Sequence, residues 1–269
     1  MAHVEAALLG LVQGLTEFLP VSSSAHLILA RAFTGWDPDR FGLAFDVALH
    51  VGTLVAVLLF FRADVVAMLR TLPSAASASP GPDGRRIQLI VVGTVPIVIV
   101  GGLWNEAAEA ATRTPAVAAT ALLAGAGLLL LIERLGRHGG GEEVLTAPRA
   151  LVIGVAQALA LVPGVSRSGA TIAAGMACGL RRDQAARFTF LMSVPAILAA
   201  AAKAALDLRA GGWVGLDLPL FATGMVTSAV VGYVTVKYFI RFLATHRLDV
   251  FAWYRVALAL ATFGWLLAR

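Results

Sequence analysis

The sequence predicts an all-α polytopic membrane protein: one integral-membrane domain over residues 1–269, with six transmembrane helices and two re-entrant helical hairpins. Of the 269 residues, 59% are hydrophobic and 14% are charged, and the mean hydropathy is +0.83. An ordinary soluble domain is about 45–50% apolar and about 25% charged. Several apolar runs reach the roughly 20 residues that cross a hydrocarbon core about 30 Å thick. Composition and run length together indicate a membrane protein.

Six apolar segments have the length and composition of full spans. They lie at about 41–61, 87–104, 116–133, 184–202, 217–239 and 249–267. Polar breaks separate them, and the longest break begins with a short amphipathic piece, Val65 to Leu72, followed by a turn-rich loop. The lone Cys178 allows no internal disulfide.

Two further apolar regions, at about 3–33 and 148–180, are broken in the middle. The first carries Glu17, Pro20 and three serines at its midpoint, and the second carries PGVSRS. Each half has only about 10–15 apolar residues, which is too short to cross. Proline and glycine free backbone groups that lipid cannot satisfy, so such backbone must be buried in protein or line a watery cavity. We therefore predict two re-entrant hairpins, each entering and leaving on the same side.

The two broken regions resemble each other at a constant offset of 144 residues. The matching pairs are Gln13 and Gln157, Leu15 and Leu159, Val21 and Val165, Ser22 and Ser166, and Ser24 and Ser168. Three spans follow each region, and an odd number of crossings inverts the second copy. We predict an inverted-topology repeat, with repeat 1 at about 1–133 and repeat 2 at about 147–269, an architecture typical of transporters.

Arginine and lysine are unequally divided between the two sides that this topology predicts. One side holds Arg62, Arg70, Arg85, Arg86, Arg134, Arg137, Arg149, Arg181, Arg182, Arg187, Arg241 and Arg247, and the other holds Arg31, Arg40, Arg113, Lys203, Arg209 and Arg269. Twelve against six places the first set in the cytoplasm and both termini outside it. The net charge of +5 is thus explained by juxtamembrane arginine, and we expect no nucleic-acid partner.

The second hairpin contains PGVSRSGAT at 163–171, which has the features of an anion site. Pro163 and Gly164 are expected to end one half-helix, so that serines and free backbone N–H groups begin the next. Such a helix start, with one fixed guanidinium, suits phosphate. Arg167 is expected near the membrane midplane, where an uncompensated charge costs at least about 2.5–3.5 kcal/mol. A structural salt bridge to Glu17 is the alternative, but the surrounding serines and glycines favour anion binding.

The first hairpin supplies groups that complement this arginine. Glu17 ends the first half-helix, Ser22–Ser24 begin the second, and His26 lies in its first turn. A carboxylate, a hydroxyl and an imidazole beside an arginine are a phosphoryl-transfer constellation. Alternatively, the serines and His26 only satisfy the broken backbone.

Asp46 and His50 share one face of the first span, as functional residues or as a structural pair.

QGLTEFLPVSSSAH (13–26) and PGVSRSGAT resemble the two signature motifs of the bacterial undecaprenyl-diphosphate phosphatase family, the bacitracin-resistance membrane phosphatases. The first family motif, (E/Q)xxxE, is met by Gln13 and Glu17, and the second, PGxSRSxxT, is met in full. The resemblance covers nearly the whole chain. It implies hydrolysis of a C55 isoprenyl diphosphate lipid to the monophosphate and phosphate in the bacterial inner membrane. That reaction recycles the lipid carrier of peptidoglycan synthesis and confers bacitracin resistance.

The resemblance also implies which residues form the site. Glu17, Ser23, His26 and Arg167 would be catalytic, and the substrate-binding residues would be Gln13, Ser22, Ser24, Gly164, Ser166, Ser168 and Thr171. Because position 13 is Gln, the acid–base role falls to Glu17 and His26. A divalent cation, Mg²⁺ or Ca²⁺, would arrive on the diphosphate and be held by Glu17 and substrate oxygens, and no organic cofactor is expected. A homodimer is one oligomeric state that the sequence allows.

Two functions fit this architecture, a phosphatase and a transporter or flippase of an anionic isoprenyl lipid. The two repeats are chemically unequal, because Leu161 and Ala170 stand at the offset positions of Glu17 and His26. A hydrolase needs one asymmetric site, so the inequality favours the phosphatase. For its mechanism, we expect Ser23 to be the nucleophile, activated by Glu17 and His26, and the alternative is direct attack by water.

Overall fold

The computed structural model describes residues 1–37, 40–77, 79–104, 106–135, 139–211 and 217–269, with residues 106, 208, 210 and 211 described by their backbone alone. Within these ranges the regular structure is helical, in agreement with the predicted fold class. The α-helices are α1 (Ala2–Thr16), α2 (Ser23–Thr34), α3 (Leu43–Phe60), α4 (Arg62–Thr71), α5 (Pro82–Leu103), α6 (Glu106–Thr112), α7 (Pro115–Leu135), α8 (Ala147–Leu159), α9 (Arg167–Ala177), α10 (Arg182–Gly211), α11 (Leu218–Leu243) and α12 (Asp249–Leu267).

Six helices are long and apolar enough to cross a membrane, which confirms the six predicted spans. They are α3, α5, α7, α11, α12 and the Arg182–Asp207 part of α10. The second span begins earlier than predicted, because Gly81 and Pro82 form a helix start with proline at a position whose N–H needs no partner. The amphipathic piece after the first span is α4, which a short 3₁₀ turn, Leu72–Ser74, extends.

Ion pairs mark the two ends of the helix bundle. At one end, which we call the Glu133 end, Arg182 binds Glu133 at the end of α7 through two contacts of 2.8 and 2.5 Å. Further pairs at this end join Arg86 to Glu142 at 2.7 Å and Arg187 to Asp64 at 3.3 Å. At the opposite end, which we call the Asp46 end, Arg31 and Arg113 both bind Asp46 near the start of α3.

Each broken region forms a pair of short helices whose outer ends lie at one end of the bundle. α1 begins beside Thr223 near the start of α11, and α2 returns to the Asp46 end, where Arg31 pairs. The second pair, α8 and α9, opens towards the Glu133 end, where the Gly140 N–H donates to the Gly179 carbonyl at 3.0 Å. The tips of the two pairs meet between these ends.

α8 ends at Leu159, earlier than the expected end at Pro163 and Gly164. The N–H groups of residues 160, 161 and 162 donate to carbonyls three residues earlier, at 3.1–3.2 Å. This tighter 3₁₀-type winding closes the helix just before the proline, whose ring disfavours the α conformation of the preceding residue. Gly164 then takes a positive φ of 102° and redirects the chain towards α9.

Glycines let the first helix of each short pair, α1 or α8, pack closely on a span of the other half. On α1, an added Cβ at Gly14 would lie 2.7 Å from the Cβ of Val231 on α11. On α8, a Cβ at Gly154 would overlap the backbone of Gly93 on α5. Close backbone packing through small residues is how membrane helices associate. The two halves of the chain are therefore interlocked, and this interlocking brings the two tips together.

Candidate active site

Glu17 is the centre of the cluster formed by the two tips. It is the residue that follows α1, and its backbone N–H donates to the Gln13 carbonyl at 2.9 Å. Its side chain is 4% exposed. Ser23, the first residue of α2, donates its hydroxyl to Glu17 Oε2 at 2.6 Å. The carboxylate and the hydroxyl expected to carry the chemistry are thus in direct contact.

Arg167 reaches the same carboxylate from the second tip. It is the first residue of α9, and its Nη2 donates to Glu17 Oε1. The salt bridge proposed as the alternative role for Arg167 is therefore present. The Arg167 side chain is 18% exposed against 4% for Glu17, so the guanidinium is the more accessible partner. Removing one partner of such a buried pair leaves an uncompensated charge, which typically costs about 3–5 kcal/mol.

Gln13 lies one turn before Glu17 and is fully buried. Its Nε2 donates to Glu17 Oε2 at 3.0 Å, and its Oε1 is a buried acceptor without a hydrogen-bond partner among the described residues. Gln157, its counterpart in the second half, has the same kind of unpaired buried Oε1. Gln13 was expected to bind substrate, and its observed contact orients the Glu17 carboxylate.

His26 does not join Glu17 in the way expected from the sequence. Its Nδ1 lies 2.7 Å from the Ser22 carbonyl, and its Nε2 lies 2.7 Å from the Tyr254 hydroxyl. The imidazole is also stacked on the Tyr254 ring, with centroids 5.6 Å apart. Both ring nitrogens are engaged by these groups, because α12 packs beside α2 and presents Tyr254. The proposed Glu17–His26 pair is therefore replaced by a His26–Tyr254 pair.

His50 contacts Glu17 instead. Its Nε2 lies 3.4 Å from Glu17 Oε2, and its Nδ1 lies 2.7 Å from the Asp46 carbonyl one turn earlier on α3. Since a carbonyl only accepts, Nδ1 carries the hydrogen and Nε2 faces the carboxylate. The Asp46 side chain turns to Arg31 and Arg113, so Asp46 and His50 are not a side-chain pair. The spacing of Asp46 and His50 on one span suggested that they pair, but the side-chain partner of His50 is Glu17, just after α1.

The remaining predicted residues cap the helices of the two tips or join one tip to the other. Ser22 and Ser166 share a positive φ of 71° and cap α2 and α9, with their hydroxyls accepting from the N–H groups of Ala25 and Gly169 at 3.4 and 3.1 Å. Such φ values are uncommon for residues other than glycine. The other contacts are Gly164 N–H to Ser22 Oγ at 3.1 Å, Ser168 Oγ to the Leu19 carbonyl at 2.9 Å, Ser24 Oγ with Ser22 Oγ at 3.2 Å, and Thr171 Oγ1 to the Arg167 carbonyl at 2.6 Å.

Arg255, on the last span, is fully buried, and the sequence motifs did not indicate it as a functional residue. Its guanidinium donates to backbone carbonyls of both tips, among them Gly164 at 2.9 Å and Val165 at 3.1 Å. An ionisable residue inside a span is a functional candidate by default, and that signal could have identified Arg255.

The residues at the tips do not fit a resident divalent cation. Among the described residues there is no group of three or more His, Cys, Asp or Glu side chains that could hold one. Both oxygens of Glu17 already accept from cationic or polar donors, and the adjacent guanidinium repels a cation. Mg²⁺ and Ca²⁺ need several oxygen ligands, which Glu17 alone cannot provide.

The fold and the site together define a polytopic membrane protein with a polar site, built from a carboxylate, a hydroxyl and an arginine, at the meeting point of two broken helices. The chain belongs to the family described as bacitracin resistance protein BacA, whose model matches residues 6–261. It is 50% identical over 261 residues to an undecaprenyl-diphosphatase of Rubrobacter xylanophilus, covering 95% of each chain. It is 43% identical to an undecaprenyl-diphosphatase of Alcanivorax borkumensis (99% of this chain, 100% of the relative) and 42% identical to one of Nitrosococcus oceani (98% of each).

Proposed function

We propose that this protein is an undecaprenyl-diphosphate phosphatase, which hydrolyses a C55 isoprenyl diphosphate to the monophosphate and phosphate. The single observation that carries the proposal is the Ser23–Glu17–Arg167 contact chain across the two tips. Family membership and relatives of the same name along nearly the full length support it. The reaction would recycle the lipid carrier of cell-wall synthesis and confer bacitracin resistance.

Each group of the contact chain has a role in this reaction. Arg167 presents a planar fork of donors that matches phosphate oxygens, and it exchanges part of its contact with Glu17 for the substrate. Glu17 accepts the proton of Ser23. Ser23 stands at the start of α2, where free backbone N–H groups and the helix dipole stabilise negative charge on the reacting phosphate. Gln13 and His50 hold the carboxylate of Glu17 in position.

The covalent steps balance as follows. Ser23 Oγ attacks the terminal phosphorus and its proton passes to Glu17, while the bond from that phosphorus to the bridging oxygen breaks. The isoprenyl monophosphate leaves with that electron pair. Water then attacks the phosphoserine and the bond from phosphorus to Ser23 Oγ breaks; Ser23 regains its proton from Glu17, the proton of water passes to Glu17, and phosphate is released. In the alternative mechanism, Glu17 takes a proton from water, whose oxygen attacks the terminal phosphorus directly as the bond to the bridging oxygen breaks and the isoprenyl monophosphate leaves, and Ser23 only donates a hydrogen bond.

Any divalent cation is proposed to bind through the substrate. A diphosphate supplies several of the oxygen ligands that Mg²⁺ or Ca²⁺ requires, so the lipid can bring the ion with it. Arg167 and the N–H groups at the starts of α2 and α9 supply positive charge from the protein itself.

Transport of an anionic isoprenyl lipid remains the second candidate. It is supported by the matching backbone of the two tips, since Ser22 and Ser166 have the same φ of 71°. We infer that α1–α2 and α8–α9 are re-entrant hairpins of two inverted repeats, a hallmark of transporters. The chemical inequality of the tips favours hydrolysis, because the carboxylate lies on one tip and the arginine on the other.

Phosphate release by the purified protein tests the proposed function. Full-length protein in detergent is supplied with undecaprenyl diphosphate, and inorganic phosphate is measured with and without Mg²⁺, Ca²⁺ or a chelator. The Glu17→Gln variant serves as the inactive control. We expect the natural protein to release phosphate and the Glu17→Gln variant to release none. If the natural protein instead flips a labelled lipid across vesicle membranes without releasing phosphate, the transporter is favoured.

We propose that the Glu133 end faces the cytoplasm of a bacterial inner membrane and that both termini lie outside it. The excess of arginine on the loops of the Glu133 end supports this orientation. Replacing Cys178 leaves a cysteine-free chain, into which Ser77→Cys, Gly140→Cys or Thr34→Cys can be introduced singly. An impermeant maleimide on intact cells should label the Thr34 position and spare the other two. Labelling at positions 77 and 140 with position 34 protected would reverse the topology.

A further inference from the structure

Arg255 lies on α12, inside a candidate span, and is 0% exposed. Its guanidinium donates hydrogen bonds to five backbone carbonyls. They belong to Pro20 (3.4 Å), Ala121 (3.2 Å), Leu122 (3.1 Å), Gly164 (2.9 Å) and Val165 (3.1 Å). A buried charge is thereby satisfied by backbone dipoles on three different parts of the chain.

The position of these carbonyls relates Arg255 to the site. Pro20 lies on the first tip, three residues after Glu17, and Gly164 lies on the second tip, three residues before Arg167. Both carbonyls lie in the turns between the half-helices, outside the hydrogen bonding of the helices themselves. One guanidinium therefore satisfies backbone of both turns at once. Arg255 thus bridges the two tips that supply the opposite charges of the site, in addition to the Gly164–Ser22 and Ser168–Leu19 hydrogen bonds.

The surrounding helices leave room for this guanidinium. On α7, a Cβ added at Gly125 would overlap the Arg255 guanidinium, and on α9 a Cβ added at Gly169 would lie 3.1 Å from its Nη1. The two carbonyls of α7 anchor the same group to a full span. Only arginine has a planar fork of five N–H donors, and a lysine ammonium has three. Lysine therefore cannot make all these contacts.

We propose that Arg255 is a positioning residue of the phosphatase reaction, which fixes the distance between Glu17 and Ser23 on the first tip and Arg167 on the second. The proposal rests on the proposed function. Arg255 acts through the backbone of the tips, since its hydrogen bonds are made to carbonyls. A misplacement of about 1 Å far from the chemistry can lower a rate about 100-fold, so a bridge of this kind has a large effect on turnover.

Two variants disturb the bridge from different helices. Arg255→Lys keeps the charge and loses most of the hydrogen bonds. Gly125→Ala displaces the guanidinium, and alanine has a higher helix propensity than glycine, so this change should not destabilise α7 itself. For both we expect kcat to fall about 10–100-fold in folded, detergent-purified protein, with a smaller change in KM. The matched control is Arg182→Lys, which weakens the ion pair with Glu133 at the far end. It should lower the melting temperature and leave kcat within about twofold of the natural protein.

A double-variant cycle separates positioning from stability alone. If Arg255 acts on the geometry of the site, Arg255→Lys has a smaller effect on kcat in a Ser23→Ala background than in the natural chain. If Arg255→Lys lowers kcat by the same factor in both backgrounds, the proposal is overturned. It is also overturned if kcat stays within about twofold of the natural value in both Arg255→Lys and Gly125→Ala. If the natural protein releases no phosphate, the proposed function itself is wrong, and this result differs from a failure of the Arg255 proposal alone, in which the natural protein is active.

Discussion

The two helix tips have nearly the same backbone and very different chemistry. Ser22 and Ser166 stand 144 residues apart with the same φ of 71°, and each caps the helix that follows. Gln13 and Gln157, each nine residues earlier, are both fully buried. Yet the first tip carries Glu17 and Ser23, where the second has Leu161 and Arg167.

This difference separates what builds the scaffold from what performs the reaction. The serines that match between the tips cap helices and satisfy broken backbone. The residues that differ meet in one cluster, because each tip contributes one member of the Glu17–Arg167 pair. The two tips therefore share a backbone geometry and divide the chemistry between them, and four sets of substitutions test that division.

The largest effect is expected for Ser23, which has Arg167 at its offset position and no serine counterpart. If Ser23 is the nucleophile, Ser23→Ala lowers kcat by several orders of magnitude, whereas loss of one hydrogen-bond donor costs about 10²–10³-fold. Single-turnover phosphate release measures the difference, and Ser74→Ala on the exposed 3₁₀ turn is the control. Substantial turnover in Ser23→Ala, with Glu17→Gln inactive, would exclude the serine as nucleophile and leave water.

Arg167 is the charged member of the second tip. Arg167→Lys keeps the charge and loses the bidentate fork, so we expect kcat/KM to fall about 100-fold. The control is Arg181→Lys, four residues after the end of α9, where an exposed pair with Asp183 contributes at most about 1 kcal/mol. Near-normal turnover in Arg167→Lys would show that this residue acts only as a point charge.

His50 offers a smaller, graded test, because it holds Glu17 from a third helix. His50 Nε2 lies at an ion-pair distance from Glu17 Oε2, 3.4 Å. A glutamine keeps a polar side chain beside that oxygen, and a leucine does not. We expect His50→Leu to lower kcat about tenfold, which corresponds to about 1.4 kcal/mol, and His50→Gln to restore most of it. Equal activity of both variants would remove His50 from the positioning of Glu17.

The smallest effects concern the matching serines. Loss of a serine cap typically costs about 1 kcal/mol of stability, so Ser166→Ala should lower the unfolding free energy by that amount. Ser22→Ala should cost more, because Ser22 Oγ also accepts from the Gly164 N–H across the two tips. Thermal unfolding in detergent compares the two variants. A larger loss in Ser166→Ala would contradict the assigned contact between the tips.

Local sequence patterns were sufficient to predict the elements of the fold. Run length and hydropathy predicted the six spans, and Pro20, Pro163 and Gly164 predicted the breaks in the two shorter regions. Ser22 could be predicted as a cap because a serine before a helix accepts from the N–H groups that the helix start leaves free. These inferences need only the neighbouring residues, since length, periodicity and capping are properties of a short stretch of chain.

Which side chains meet was decided by the tertiary structure. The sequence brought Glu17 and Arg167 forward as candidates, and their residue types pointed to phosphate. It did not predict that His26 would bind Tyr254, that His50 would face Glu17, or that Arg255 would join the tips. The partners of these contacts lie between 33 and 235 positions apart in the chain. They are set by how α1, α3, α8 and α12 pack, because helix periodicity fixes the face that a residue occupies and only packing fixes what lies against that face.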